Sequence, residues 1–189
     1  MLKKIGASFI VTVAVVALSA AVALANPQEI CPQGFMIGEQ NMLDAGMYVE
    51  TSFRATRPNN VPNRQFYQGL ETTELEYFHR GYKDPFYRTG NKRYTEEAEQ
   101  DVGERGQRSE ARTIAFMERE PFSGGTVYWW KITHQHGAGL GRDVAPVVTY
   151  DAWFVAEEKM RVLSIKISGA YASQPQIREW LEQMVARTR

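Results

Sequence analysis

Two histidines separated by one residue, His134-Gln135-His136, form the only His-x-His in the chain and are its densest concentration of chemistry. On an extended strand the side chains at i and i+2 point the same way, so these imidazoles are spaced to share a divalent metal. A metal site needs three or four ligands. His79, Asp143 and Cys31 are the candidates for a third, although no spacing ties any of them to the pair. The competing reading is two histidines at a strand end, hydrogen-bonded or partly solvated, with no cofactor at all.

The other motifs carry less. Gly137-Ala138-Gly139-Leu140-Gly141 looks like a phosphate loop but lacks the Lys-Ser/Thr ending. No helical pattern follows it, so its amides have no helix N-terminus at which to gather an anion, and it reads as a flexible connection. There is no Gly-x-Ser-x-Gly elbow, and Ser123 sits in a turn. Cys31 is the sole cysteine, which rules out an intrachain disulfide and leaves a free thiol or an intermolecular bridge. Its place near the start of the chain argues against rigid pairing with a histidine as a nucleophile. The carboxylates Glu96, Glu97, Glu99, Asp101 and Glu104 lack the Asp-x-Asp-x-Asp-Gly spacing of a calcium loop.

These residues must be positioned by the second half of the chain, which is the most legible part. Arg112 to Glu118, Thr126 to His134, Pro146 to Ala156 and Met160 to Ser168 read as four strands. Two of their links are short, Pro121–Gly125 and Glu157–Lys159, and the third is the glycine-rich stretch. Short links make antiparallel hairpins, because a parallel crossover takes a dozen residues or more. A helix closes the chain. Ser173 caps it with Gln176 three residues on, and Ile177, Trp180, Leu181, Met184 and Val185 draw one apolar stripe.

Within the strands, side-chain parity is the guide to function. Trp130, Ile132, His134 and His136 share a parity, which places both histidines at the rim of the core, where a pocket would open. Trp129 and Trp153 are expected on the mixed face, among Lys131, Thr149, Asp151 and Lys166. Either they form an exposed aromatic surface for a protein or sugar, or another segment covers them.

The first half is less clear. Met47 to Thr56 reads as a strand, Arg57 to Asn63 as a loop, and Thr72 to Tyr82 as a strand in preference to a helix. Residues 91–110 are a charge-rich, mobile segment or a solvated helix face.

The N-terminus has the three parts of a cleavable signal peptide. Lys3 and Lys4 precede an uncharged apolar run from Ile5 to Leu24, and Ala23-Leu24-Ala25 places the cut before Asn26. A retained anchor is the alternative, because the run approaches the length of a membrane span. Cleavage leaves one domain, 26–189, with no membrane span. Of the 22 basic and 22 acidic residues the leader holds two lysines, so the mature domain is slightly acidic, which argues against nucleic acid as a partner.

The expected fold is α+β: an antiparallel meander of about 5–7 strands with the C-terminal helix on one face, or else a small up-and-down barrel with that helix. The expected function is a periplasmic or secreted, non-catalytic accessory protein. It would bind a protein or small molecule of the cell envelope through the aromatic surface (Trp129, Trp153, Trp130, Lys131) or through a shallow pocket beside Trp130, His134 and His136. The alternatives are a metal-binding protein or enzyme using His134 and His136, and a small-ligand carrier.

Overall fold

The computed structural model describes residues 26–61, 67, 69–84, 93–109, 111–135 and 145–188. The expected leader, His136, Asp143 and the glycine-rich stretch Gly137–Gly141 lie outside these residues.

A short helix α1 (Pro27–Ile30) is capped by the Asn26 side chain, which accepts the Gln28 N–H at 3.1 Å. Three strands follow: β1 (Met36–Asp44), β2 (Tyr48–Pro58) and β3 (Thr72–Tyr82). Next come α2 (Tyr94–Glu104), then β4 (Arg112–Phe122), β5 (Gly125–His134), β6 (Val147–Glu158), β7 (Arg161–Ala170) and α3 (Gln174–Arg187). The seven strands form one antiparallel sheet in the order β1-β2-β3-β7-β6-β5-β4. It is two meanders joined where β3 meets β7, and the link through α2 carries the chain from the centre of the sheet to its far edge. Among the described residues β2 is the one partner strand of β1 and β5 the one partner strand of β4, which besides gains a single bridge from Arg108 to Thr113, so the ladder does not close into a barrel.

Local chemistry explains the strands. In β2, Val49, Thr51, Phe53 and Ala55 are buried while their neighbours are half-buried or exposed, the period-2 alternation of a strand with one face on a core. The same alternation in β3 settles Thr72–Tyr82 as a strand. Ser123 and Gly124 join β4 to β5, both with positive φ, as the tightest hairpin turns demand. Gly125 follows because a Cβ there would overlap the Val155 carbonyl and the Phe154 ring. The expected loop at Arg57–Asn63 begins later than its prolines suggest. β2 runs through Pro58, and Asn59 is buried, donating to the carbonyls of Leu70 and Gly169 at 3.0 Å each.

Both faces of the sheet carry a packed cluster. On the first, α3 lays Ile177, Trp180, Leu181, Met184 and Val185 onto Phe53, Leu75, Tyr77, Trp129, Phe154, Leu163, Ile165 and Ile167. Each such side chain contributes about 1.5–3 kcal/mol relative to exposure. Ser173 caps α3 by accepting the Gln176 N–H, but the Gln176 side chain turns to Glu179 and does not close the box. The end of α3 is held as well: Thr188 donates to the Met184 carbonyl, so Tyr77 is the donor in its 2.9 Å bond to Thr188.

On the second face lies α2, drawn from the stretch expected to be charged and mobile. Tyr94 and Ala98 are buried and Val102 partly so, at the i, i+4, i+8 spacing of a helix face. That stripe is too thin to announce a helix amid so many charges. Polar pins complete the attachment: Arg105 to Asp151 at 2.9 Å, Tyr128 to Glu99 at 3.0 Å, Thr95 to Glu157 at 2.8 Å, and Arg119 to Glu99. Among the described residues no helix is long and apolar enough to cross a membrane.

Candidate binding clefts

The register between β5 and β6 decides where the tryptophans go. Tyr128 lies opposite Trp153, and Trp129 opposite Ala152. Even positions of β5 therefore share a face with odd positions of β6. Trp129 points to the α3 side and Trp153 to the α2 side, and both are buried, at 0% and 3% exposure. The surface expected from Trp129, Trp153, Trp130 and Lys131 is not formed. Alternation gives parity within one strand only, and the pairing offset between strands inverts the match.

Each indole is tied down. Trp129 Nε1 donates to Glu120 at 3.1 Å, and Glu120 also holds Arg178 at 2.6 Å. Trp153 Nε1 donates to Ser164 at 2.9 Å. Trp130 is wholly buried between Phe116 and the Arg105 guanidinium. Lys131 is exposed at the β4–β5 edge.

His134 follows Trp130 and Ile132 on the same face and is half-buried at the strand end, with Nε2 and Thr149 Oγ1 sharing a 2.9 Å hydrogen bond. Burial first, and the Arg112 charge second, hold its imidazole below the ordinary histidine range. It borders a cleft of about 300 Å³ with Tyr67, Leu70 and Arg112. Trp130 does not line that cleft. Of the candidate third ligands, His79 and Cys31 belong to the α3 side of the sheet, away from His134. Among the described residues no group of three His, Cys, Asp or Glu side chains is placed to hold a metal.

A larger cleft, about 490 Å³, opens on the α2 face between α2 and the β1-β2-β3-β7 part of the sheet. Lys166, Phe78 and Ser164 come from the sheet, Tyr94 and Glu97 from α2, and Glu39, Arg54 and Glu76 border it. The Lys166 ammonium lies 3.5 Å from the centre of the Trp153 ring and forms no ion pair among the described residues. Burial pulls its pKa below the usual lysine value, against the pull of Asp101, Glu76 and Glu97. Arg54, by contrast, is already engaged, with Glu76 at 3.2 Å and Glu39 at 3.9 Å. Phe78 and Tyr94 form an aromatic wall, their rings 5.3 Å apart.

A wider groove of about 900 Å³ runs past the β4–β5 turn. Its main polar groups are matched, Thr95 with Glu157 and Arg93 with Glu96, so it offers a ligand less. The Lys166 cleft is the better candidate. Nothing in the sequence marks it: in an alternating strand Ser164-Ile165-Lys166 reads as an ordinary solvent face, and only the placement of α2 turns that face into a wall. No protein family, curated protein or solved structure matches this chain.

Proposed function

We propose that this chain is an exported, non-catalytic binding protein of the cell envelope that takes a small polar ligand in the cleft beneath α2, with Lys166 as its anchor. The observation that carries the reading is the half-buried ammonium of Lys166, stacked on Trp153 at 3.5 Å and without a carboxylate partner among the described residues. A cation withdrawn from water needs an acceptor, and here the open side of the cleft is where one would come from. Export is supported by the Lys3-Lys4, apolar run and Ala23-Leu24-Ala25 pattern. Metal binding has less support, since His134 already shares its Nε2 with Thr149.

The full chain expressed in a bacterial host and recovered from the periplasm or medium tests both parts. Terminal sequencing is expected to begin at Asn26. Native mass spectrometry is expected to show a bound small molecule that Lys166→Met protein lacks. Ligand-free protein from every growth condition, or a bound mass indifferent to Lys166→Met, would overturn the binding assignment.

A further inference from the structure

The charges around the Lys166 cleft do not cancel evenly, and the mismatch narrows what the cleft accepts. Three carboxylates border it, Glu39, Glu76 and Glu97, against two cations, Arg54 and Lys166. Arg54 bridges Glu39 and Glu76. Asp101, which also pulls on Lys166, is paired with Arg105 at 3.7 Å, so what remains is one ammonium on the sheet floor and one carboxylate, Glu97, on α2, neither in an ion pair among the described residues. A simple anion could meet Lys166 but would enter a cleft of net negative charge. A simple cation could meet Glu97 but would leave Lys166 unmatched and repelled, which is costly where water is scarce. A molecule carrying both charges satisfies both ends.

Resting on the reading of this cleft as the binding site, we infer that its ligand is a zwitterion of amino-acid to dipeptide size, with its carboxylate on Lys166, its ammonium toward Glu97 and an apolar side chain against Phe78 and Tyr94. The volume of about 490 Å³ falls within the range of small-ligand sites and holds such a molecule. The aromatic wall supplies the apolar contact that fixes orientation, and the two charges supply discrimination at each end.

Three probes sharing one ring separate the contributions: L-phenylalanine carries both charges, 3-phenylpropanoate only the carboxylate, and 2-phenylethylamine only the ammonium. Binding is measured by titration calorimetry, and the Trp153 indole N–H signal in nitrogen-15 spectra reports contact at the Lys166 floor. Phenylalanine is expected to move that signal and to bind at least about tenfold more tightly than either analogue, the usual scale for losing one charge-assisted contact. Lys166→Met should bring phenylalanine down to the level of phenylethylamine, and Glu97→Gln to that of phenylpropanoate. Thermal melts of both variants confirm that they fold. If either analogue binds as tightly as phenylalanine, the zwitterion assignment is wrong while the cleft stands as a binding site. If no probe moves the Trp153 signal but native mass spectrometry still finds a ligand lost in Lys166→Met, the ligand class is wrong alone. If neither probe nor co-purified ligand is found, both assignments fall.

Discussion

Tyr128 faces Trp153 across the β5–β6 ladder, and this one pairing sends Trp129 and Trp153 to opposite sides of the sheet. Each is a core residue with its own layer: Trp129 under α3, Trp153 under α2. Replacing either with alanine is expected to cost about 3–5 kcal/mol, the range for a buried tryptophan. Urea denaturation of the two single variants checks this. A cost below about 1 kcal/mol for Trp153→Ala would restore the exposed aromatic surface.

Lys166 is expected to show a trade between stability and binding. Burial lowers its folded-state pKa, so the unfolded chain holds its proton to higher pH. Stability therefore rises with pH through the window between the depressed folded value and the ordinary lysine value of 10.5, and at neutral pH the charge is a cost to the fold. Lys166→Met should melt at or above the wild-type temperature while losing the ligand. A lower melting temperature would mean that the ammonium serves the fold, not a ligand.

His79 is expected to make the protein acid-sensitive above the carboxylate range. Buried between Thr51 and Leu163 on neighbouring strands, with Arg161 close by, it is held neutral down to about 4 against an ordinary 6.5. Burial is the larger cause and the Arg161 charge the smaller. As pH falls, the unfolded chain takes the proton first. The contribution is therefore full above 6.5 and drains away toward 4, on the order of 3 kcal/mol. Denaturation midpoints between pH 7 and 4 should fall steeply in wild type and less in His79→Leu, where His134, lowered in the same sense, still titrates this way.

Asp151 joins three elements. Its carboxylate accepts the Gly169 N–H at 2.8 Å and the Arg105 guanidinium at 2.9 Å, which ties the end of α2 to β6 and β7. Gly169 has a positive φ and donates this bond from a kink in β7 that a larger residue would strain. Asp151→Ala orphans the half-buried amide and is expected to cost about 1–3 kcal/mol. Asp151→Asn retains an acceptor and should cost less. Hydrogen exchange checks the mechanism: the Gly169 amide and α2 should lose protection together in Asp151→Ala, while α3 keeps its own.

How much was legible follows from how local each signal is. The hairpins from Arg112 to Ala170 and the helix after Ser173 were readable because turn residues, alternation and an apolar stripe are properties of a few neighbouring side chains. β1 was missed because all its residues but Ile37 are exposed, so its sequence carries no alternation to detect. α2 was obscured because Tyr94, Ala98 and Val102 are a sparse stripe amid charges, and its attachment rests on polar contacts to distant strands.

By itself the sequence determined the strand-rich second half, the amphipathic final helix and the shared face of Trp130, Ile132 and His134. Tertiary structure alone decided which faces of different strands coincide, that a charged segment would roof the second face, and that Lys166 and Glu97 would border one cleft. The reason is physical. Alternation fixes side-chain direction relative to a strand's own backbone, whereas the pairing offset between strands is set by the packing of the whole sheet, and a change of one residue in that offset exchanges wall for core.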